Sequence, residues 1–313
     1  MPPGWDEWAG LQGNSRYYNY TLSDNGKAEK HGDHFEEDYL PNVIRNKTLA
    51  FITESVRLQQ EAIAAGRPED AKPFFAVLSV PACHQPADPA PQYAGQLPDI
   101  KAPRSPNYNA KNEDSHWFER VQGVSGPMDS NAAAWTDLLY RRRLLTLMTI
   151  DDIVQDLDTH LTSEGVWDNT FFTYTADNGY HLGQNGLGLD KRQPWETDLR
   201  IPTFVRGPGI PSKVVVPFQV GHVDLAATFA DMAGTTADEA AAAVGAPPLD
   251  GESMLPKIRL AYAMQQGAVS SKAAAAVRPS LLFEYHGEHN NAGGNNPLCR
   301  SLTDPALNCY PQE

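Results

Sequence analysis

Basic residues, cysteines and long apolar runs are all scarce in this sequence. Its 25 lysines and arginines stand against 39 aspartates and glutamates, a formal net charge of −14, which argues against a nucleic-acid-binding protein. Three cysteines in 313 residues are too few for a disulfide-scaffolded miniprotein. No stretch approaches the roughly 20 apolar residues that span a bilayer, so no membrane span is predicted. Hydrophobic residues still make up 41% of the chain, which excludes a wholly disordered protein.

The sequence also lacks a recognisable leader at its start. The first eight residues have neither a basic start nor an apolar core, so they do not resemble a signal peptide and are expected to belong to the middle of a domain. Two sequons, Asn19-Tyr20-Thr21 and Asn46-Lys47-Thr48, together with Cys299 and Cys309, nevertheless favour a secretory-route protein. The two cysteines pair either with each other or with partners outside the chain.

Hydrophobic periodicity predicts strands that alternate with helices. Apolar residues at helical spacing predict three helices, over 46–65, 131–161 and 223–232. Apolar runs predict four strands, at 74–80, 170–176, 201–205 and 280–285, and a fifth short strand is expected at 17–21. The run at 74–80 is nearly continuous, which is typical of a strand buried on both faces. The alternation indicates an α/β protein, with a long irregular segment at 81–112.

The sharpest local feature is the sequence Asp177-Asn178-Gly179, which directly follows the strand predicted at 170–176. In open α/β sheets, ligands collect beyond the carboxyl ends of strands. One carboxylate and one amide oxygen side by side suit a hard cation such as Ca²⁺ or Mg²⁺. The same residues are equally suited to an ordinary turn, and taken alone the pattern does not decide between the two interpretations.

Two further side chains are candidates for anion binding and proton transfer. Lys191 lies in a glycine-rich segment and is suited to hold an anionic oxygen. His84 follows the strand predicted at 74–80 and is suited to give or take a proton; it faces the same sheet edge as Asp177 if the two strands are parallel. Taken alone, a solvated basic pair at 191–192 and a histidine that caps a strand end are the simpler interpretations.

Two charged clusters lie inside the long predicted helix. Neighbouring helical positions point about 100° apart, so Asp151 and Asp152 cannot converge on one ion and are expected to form a solvated face. Arg141-Arg142-Arg143 is expected to form a solvated or salt-bridged face.

Several motifs occur in an order that resembles one known family. The apolar run before Asp177 is followed by 177–184, then by Asp190-Lys191-Arg192-Gln193 and by 201–210. This pattern resembles the C-terminal half of the formylglycine-dependent sulfatases, over nearly the whole chain. The resemblance implies an alkaline-phosphatase-like α/β sandwich with a mixed central sheet. Residues 1–255 would then be the C-terminal part of the catalytic domain, and 256–313 the start of a smaller C-terminal subdomain.

The resemblance also implies an activity and the residues that perform it. The reaction would be hydrolysis of a sulfate ester, with N-acetylglucosamine 6-sulfate groups of glycosaminoglycans as the expected substrate. By motif position, Asp177 and Asn178 would bind one Ca²⁺. Lys191 would contact the sulfate and the bridging ester oxygen, and His84 would contact the sulfate and help to protonate the leaving alcohol. His181 would contact the substrate, and the full-length protein would be lysosomal or secreted.

The nucleophile of that family is missing from this sequence. In the family it is a cysteine, oxidised to formylglycine, in a Cys-x-Pro-Ser-Arg motif. Cys83 precedes His-Gln-Pro, Cys299 precedes Arg-Ser-Leu and Cys309 precedes Tyr-Pro-Gln. The formylglycine is therefore expected in an N-terminal part, and the chain alone is expected to be inactive. Two alternatives stay open: a phosphodiesterase or phosphatase of the same superfamily, and a non-catalytic half-enzyme that acts as a binding module.

Overall fold

The computed structural model describes residues 1–110, 114, 128–191, 194–270 and 277–284. They fall into two units. The first contains Met1–Trp167 with Tyr180–Asp190, and the second contains Asp168–Gly179 with the described residues from Lys191 onward. In this part of the chain, no helix combines the length and the apolar character needed to cross a membrane. The domain boundary expected after residue 255 stays a prediction.

The first unit begins with a small antiparallel sheet. Strand β1 (Ala9–Leu11) pairs with β2 (Thr21–Asp24), which pairs with β3 (Lys27–Lys30). The strand expected at 17–21 thus starts only at Thr21, because the residues before it form a bend. A cluster of four buried side chains joins the sheet region to the following helix: Tyr20, Leu22, Leu40 and Val43.

Among the described residues of the first unit, three segments are α-helices: α1 (Phe35–Asp38), α2 (Leu40–Ala64) and α3 (Ser130–Ser163). Helix α2 starts earlier than the predicted 46 because Pro41 occupies its first turn, where a missing N–H costs little. Helix α3 confirms the prediction over 131–161. It begins after Asp129, whose carboxylate accepts a hydrogen bond from the Ala132 N–H at 2.8 Å. Its apolar stripe consists of Leu139, Leu145, Ile153, Leu157 and Leu161.

The described part of the second unit contains a two-stranded sheet and four α-helices. Strand β4 (Phe172–Tyr174) pairs antiparallel with β5 (Phe204–Arg206). The helices are α4 (Glu196–Leu199), α5 (Leu225–Met232), α6 (Ala237–Ala243) and α7 (Leu255–Gln265). Helix α5 confirms the prediction over 223–232, and it ends where Gly234 takes a φ of +81°, which glycine adopts without steric cost.

The four predicted strands of the apolar runs have different outcomes. Strands β4 and β5 lie at the runs 170–176 and 201–205, whereas 74–80 and 280–284 are not in strands. Within 74–80, Phe75 is 52% and Val77 is 57% exposed, while their neighbours are half-buried. A strand exists only where a second strand completes its ladder of hydrogen bonds. The described part of the chain offers 74–80 no such partner, and both of its sheets are antiparallel.

Candidate active site

The chain bends at Asp177, and the segment Asp177-Asn178-Gly179 at this bend is the Asp177–Gly179 turn of the second unit. One carboxylate oxygen of Asp177 accepts a hydrogen bond from the Asn178 N–H at 2.9 Å, and the Asn178 Nδ2 donates to the Gly179 carbonyl at 2.8 Å. The Gly179 N–H donates to the carbonyl oxygen of Asp198 at 2.7 Å. A Cβ on Gly179 would lie 2.0 Å from the carbonyl oxygen of Thr197. Only glycine therefore allows the turn to approach helix α4 so closely.

Asn178 and Lys191, both predicted as site residues, line one cavity. The cavity has a volume of about 380 Å³. Its other lining residues comprise two carboxylates and four apolar side chains: Asp198, Glu284, Pro194, Leu199, Leu282 and Phe283. The Asp198 residue is only 3% exposed, and its Oδ1 accepts a hydrogen bond from the Thr197 hydroxyl at 3.1 Å. An ammonium group, an amide, carboxylates and apolar side chains thus line one cavity that is open to solvent, with Leu282 83% and Phe283 51% exposed.

The oxygen atoms near this cavity fit a calcium site only in part. Asp177 and Asn178 offer the carboxylate and amide oxygens that Ca²⁺ prefers, but Ca²⁺ takes six to eight oxygen ligands. One Asp177 oxygen already accepts from the Asn178 N–H. Among the described residues, no group of three or more His, Cys, Asp or Glu side chains is placed to hold a metal ion. The chemistry of these two donors fits the cation, but their number does not.

His84 lies in a turn of the first unit and not at the end of a strand. Its N–H donates to the Pro81 carbonyl at 2.7 Å, and its own carbonyl accepts from the Ala87 N–H at 2.9 Å. The ring Nδ1 lies 2.7 Å from the carbonyl oxygen of Gln85. Because a carbonyl can only accept, this contact places a proton on Nδ1. The Nε2 atom is then the ring nitrogen that can gain or release a proton.

Three side chains that the sequence did not single out as site residues hold the His84 turn in place. The buried Tyr17 hydroxyl lies 3.2 Å from the Pro81 carbonyl oxygen and 3.1 Å from that of His84. Arg142 donates to the Ala87 carbonyl at 3.1 Å, and Arg143 donates to the Cys83 carbonyl at 2.8 Å.

The two arginines have further partners in the first unit. Arg142 also pairs with Asp88, which confirms the salt-bridged face expected there. Arg143 lies over the Tyr180 ring, 3.9 Å from its centroid, a cation–π contact. The run Arg141-Arg142-Arg143 is the sequence signal for these contacts, but by itself it indicates only a solvated or salt-bridged helix face.

The histidine and the two aspartates singled out in the first unit differ in their exposure to solvent. His181 is 1% exposed, and its backbone pairs with Asp190, whose N–H and carbonyl bond to it at 3.3 and 2.8 Å. Its predicted contact with substrate stays a prediction. Asp151 is exposed as expected, whereas both oxygens of Asp152 lie within 2.7 Å of the Tyr93 hydroxyl. That hydrogen bond, with burial, raises the pKa of Tyr93 to about 12.

Several residues singled out in the sequence lie outside the described residues. They are Arg192 and Gln193, which follow Lys191, and the two late cysteines, Cys299 and Cys309. The pairing of the cysteines therefore stays a prediction.

Comparison with known proteins confirms the family that the sequence motifs resemble. Residues 4–235 match the family model described as Sulfatase. The chain is 36% identical over 311 residues to N-acetylglucosamine-6-sulfatase of Bos taurus. The alignment covers 99% of this chain and 49% of that protein. It is also 40% identical over 257 residues to the extracellular sulfatase SULF-1 homolog of Drosophila melanogaster. That alignment covers 82% of this chain and 21% of that protein. The chain thus spans about half the length of the N-acetylglucosamine-6-sulfatases it matches.

A solved structure shares the fold. The structure of BT4656 in complex with its substrate D-glucosamine-2-N,6-O-disulfate superposes with a TM-score of 0.66 at 22% sequence identity, over 82% of this chain and 59% of that one. The likeness confirms the predicted fold class, an α/β fold of the alkaline-phosphatase type.

Proposed function

This chain belongs to the sulfatase family, and from that premise we propose that it supplies part of the active site of a sulfuric ester hydrolase. The observation that carries the proposal is the cavity shared by Lys191 and Asn178. A Lys ammonium is a compact, strongly charged donor. Bound at such a cavity, a sulfate ester would place its peripheral oxygens against this charge, and the stabilisation would grow as the ester bond breaks.

We assign the proton transfer to His84. Because Nδ1 donates to the Gln85 carbonyl, Nε2 would carry the transferable proton when the ring is in its doubly protonated, imidazolium form. When the ester bond breaks, the leaving alkoxide oxygen would take that proton and depart as the alcohol. The nucleophile would be the formylglycine of the family, and its Cys-x-Pro-Ser-Arg motif does not occur in these 313 residues.

The proposed substrate is the 6-sulfate of N-acetylglucosamine in a glycosaminoglycan. Support comes from the 36% identity to N-acetylglucosamine-6-sulfatase over nearly the whole chain. The composition of the cavity is compatible with a sulfated sugar. Asp198 and Glu284 would accept hydrogen bonds from sugar hydroxyls, and Phe283 offers a ring against which a pyranose can pack.

Calcium would enter this site only with ligands beyond the described ones. Asp177 and Asn178 would each supply an oxygen, and a bound Ca²⁺ would add positive charge near the sulfate. Lysosomal or secreted localisation is proposed on the two sequons and on the relatives named extracellular sulfatases.

A second candidate is a binding module without catalysis, which the missing nucleophile motif favours. The purified chain tests the ligand binding that both candidates require. We expect it to bind N-acetylglucosamine 6-sulfate more tightly than N-acetylglucosamine in isothermal titration calorimetry, and to hydrolyse no aryl sulfate. Lys191→Ala should weaken binding of the sulfated sugar about tenfold or more, the usual cost of losing a charged hydrogen bond.

Lys213→Ala is the matched control, because Lys213 is an exposed lysine of the same unit outside the cavity lining. Equal affinity of the wild-type chain and the Lys191→Ala variant would contradict the role of Lys191. Turnover of an aryl sulfate would contradict the expectation that the nucleophile lies elsewhere.

A further inference from the structure

Asp224 is a completely buried carboxylate on which several segments of the second unit converge. It is 0% exposed. Its Oδ1 accepts from the Glu252 N–H at 2.9 Å, and its Oδ2 accepts from the Gly221 N–H at 3.0 Å and from the Arg278 guanidinium. The Lys257 ammonium, itself nearly buried, lies 3.9 Å from Oδ2. Such a charge is tolerated in the interior because it is fully paired and hydrogen-bonded.

Arg278 links this buried carboxylate to one wall of the cavity. It lies near the start of the segment 277–284, whose last three residues, Leu282, Phe283 and Glu284, line the cavity. Leu281 of the same segment packs on Gly221, where an added Cβ would lie 3.3 Å from the leucine Cδ1. The segment contains no strand, so its place depends on such side-chain contacts.

A second line of contacts leads from Asp224 to the cavity residue Asn178. His222, two residues before Asp224, lies with its Nε2 2.8 Å from the Ala176 carbonyl oxygen. Ala176 directly precedes Asp177 and Asn178, and Asn178 lines the cavity. Gly221 and the 3-10 helix His222–Asp224 therefore contact both the turn that carries Asn178 and the segment that carries Glu284.

We infer that Asp224 and Arg278 are positioning residues, which hold the wall Leu282–Glu284 against the part of the cavity that contains Asn178 and Lys191. Neither residue lines the cavity, so neither would touch the substrate. The inference rests on the proposed function for its consequence, ligand binding, but not for the geometry of the wall. Loss of the Arg278 charge destabilises the buried carboxylate, but Asp224 keeps two backbone hydrogen bonds and Lys257 at 3.9 Å, whereas the wall loses its anchor.

Limited proteolysis tests the geometry. In Arg278→Met, chymotrypsin should cleave at Leu282 and Phe283 at least tenfold faster than in the wild type, while cleavage in helix α3 is unchanged. Arg278→Lys should restore most of the protection because it restores the charge. The matched control is Arg206→Met, which removes an exposed ion pair with Asp168 in the same unit and should leave 277–284 unchanged.

Binding tests the consequence. Arg278→Met should weaken binding of N-acetylglucosamine 6-sulfate about fivefold or more, and Arg278→Lys should recover the affinity. Unchanged cleavage at 277–284, cleavage that rises equally throughout the chain, or a wild-type affinity in Arg278→Met would overturn the inference. If the wild-type chain binds no sulfated sugar but the cleavage changes as expected, the proposed function fails and the positioning of the wall stands.

Discussion

The two turns that carry predicted site residues are held in place in different ways. The Asp177–Gly179 turn is fixed mainly by backbone contacts close to it, namely the bond from the Asn178 N–H to Asp177 and the bond from the Gly179 N–H to the Asp198 carbonyl. The His84 turn receives side chains from distant parts of the sequence: Tyr17 is 67 residues from His84, and Arg142 is 55 residues from Ala87. A turn of the first kind is recognisable from its own residues, whereas the supports of the second are not.

The largest loss of unfolding free energy is expected from a substitution in the Asp177–Gly179 turn. Gly179→Ala puts a Cβ 2.0 Å from the Thr197 carbonyl oxygen, so the turn or helix α4 must move. Such overpacking should lower the free energy of unfolding by about 3 kcal/mol, measured by chemical denaturation. Gly209→Ala is the control, because a Cβ there meets nothing within 4 Å and only its positive φ is penalised, by about 1 kcal/mol. Equal losses in the two variants would contradict the close approach.

A smaller loss of unfolding free energy is expected when a side chain that holds the His84 turn is changed. Burial raises the pKa of the Tyr17 hydroxyl, so it stays protonated and able to donate to the His84 turn. Tyr17→Phe should cost about 1–2 kcal/mol of unfolding free energy and should speed amide exchange at 81–88. Tyr18→Phe is the matched control, since no hydrogen bond of its hydroxyl is found among the described residues. If both variants were equally stable, the Tyr17 hydroxyl would not be what fixes the turn.

The contrast between local and long-range contacts also explains which parts of the protein could be predicted from the sequence. Helices α2, α3 and α5 were found because their periodic apolar faces lie within the helices themselves. Lys191 and Asn178 were singled out because a strand end and a nearby basic segment are local signals, and their roles stay predictions. The contacts of Arg278 with Asp224 and of Tyr17 with the His84 turn were not predicted, since each joins residues far apart in the sequence.

The apolar run at 74–80 shows the limit of such prediction most directly. Its composition is that of a buried strand, but Phe75 and Val77 are half-exposed and no strand forms. The run 170–176 has a similar composition and does contain a strand, because β5 completes its ladder. Composition indicates that a strand is possible, and the neighbouring strand decides whether it forms.

The smallest effect concerns the pH dependence of the second unit. Burial alone would raise the pKa of the Asp224 carboxyl. Arg278, the N–H groups of Glu252 and Gly221, and Lys257 together lower it below its usual value. A lowered pKa in the folded state means that Asp224 stabilises the protein above about pH 4, its ordinary range, and that this contribution is lost as the pH falls through the folded pKa. The difference in unfolding free energy between the wild type and Asp224→Asn should therefore shrink between pH 5 and pH 3, by about 1 kcal/mol. A constant difference over this range would contradict the lowered pKa.

The account depends most on whether the cavity of Lys191 and Asn178 binds a sulfate ester. The most direct measurement is the affinity of the 313-residue chain for N-acetylglucosamine 6-sulfate, compared between the wild type, Lys191→Ala and Lys213→Ala. We predict binding that Lys191→Ala weakens about tenfold or more and that Lys213→Ala leaves unchanged. Equal affinity in all three proteins, or no preference for the sulfated over the unsulfated sugar, would contradict it.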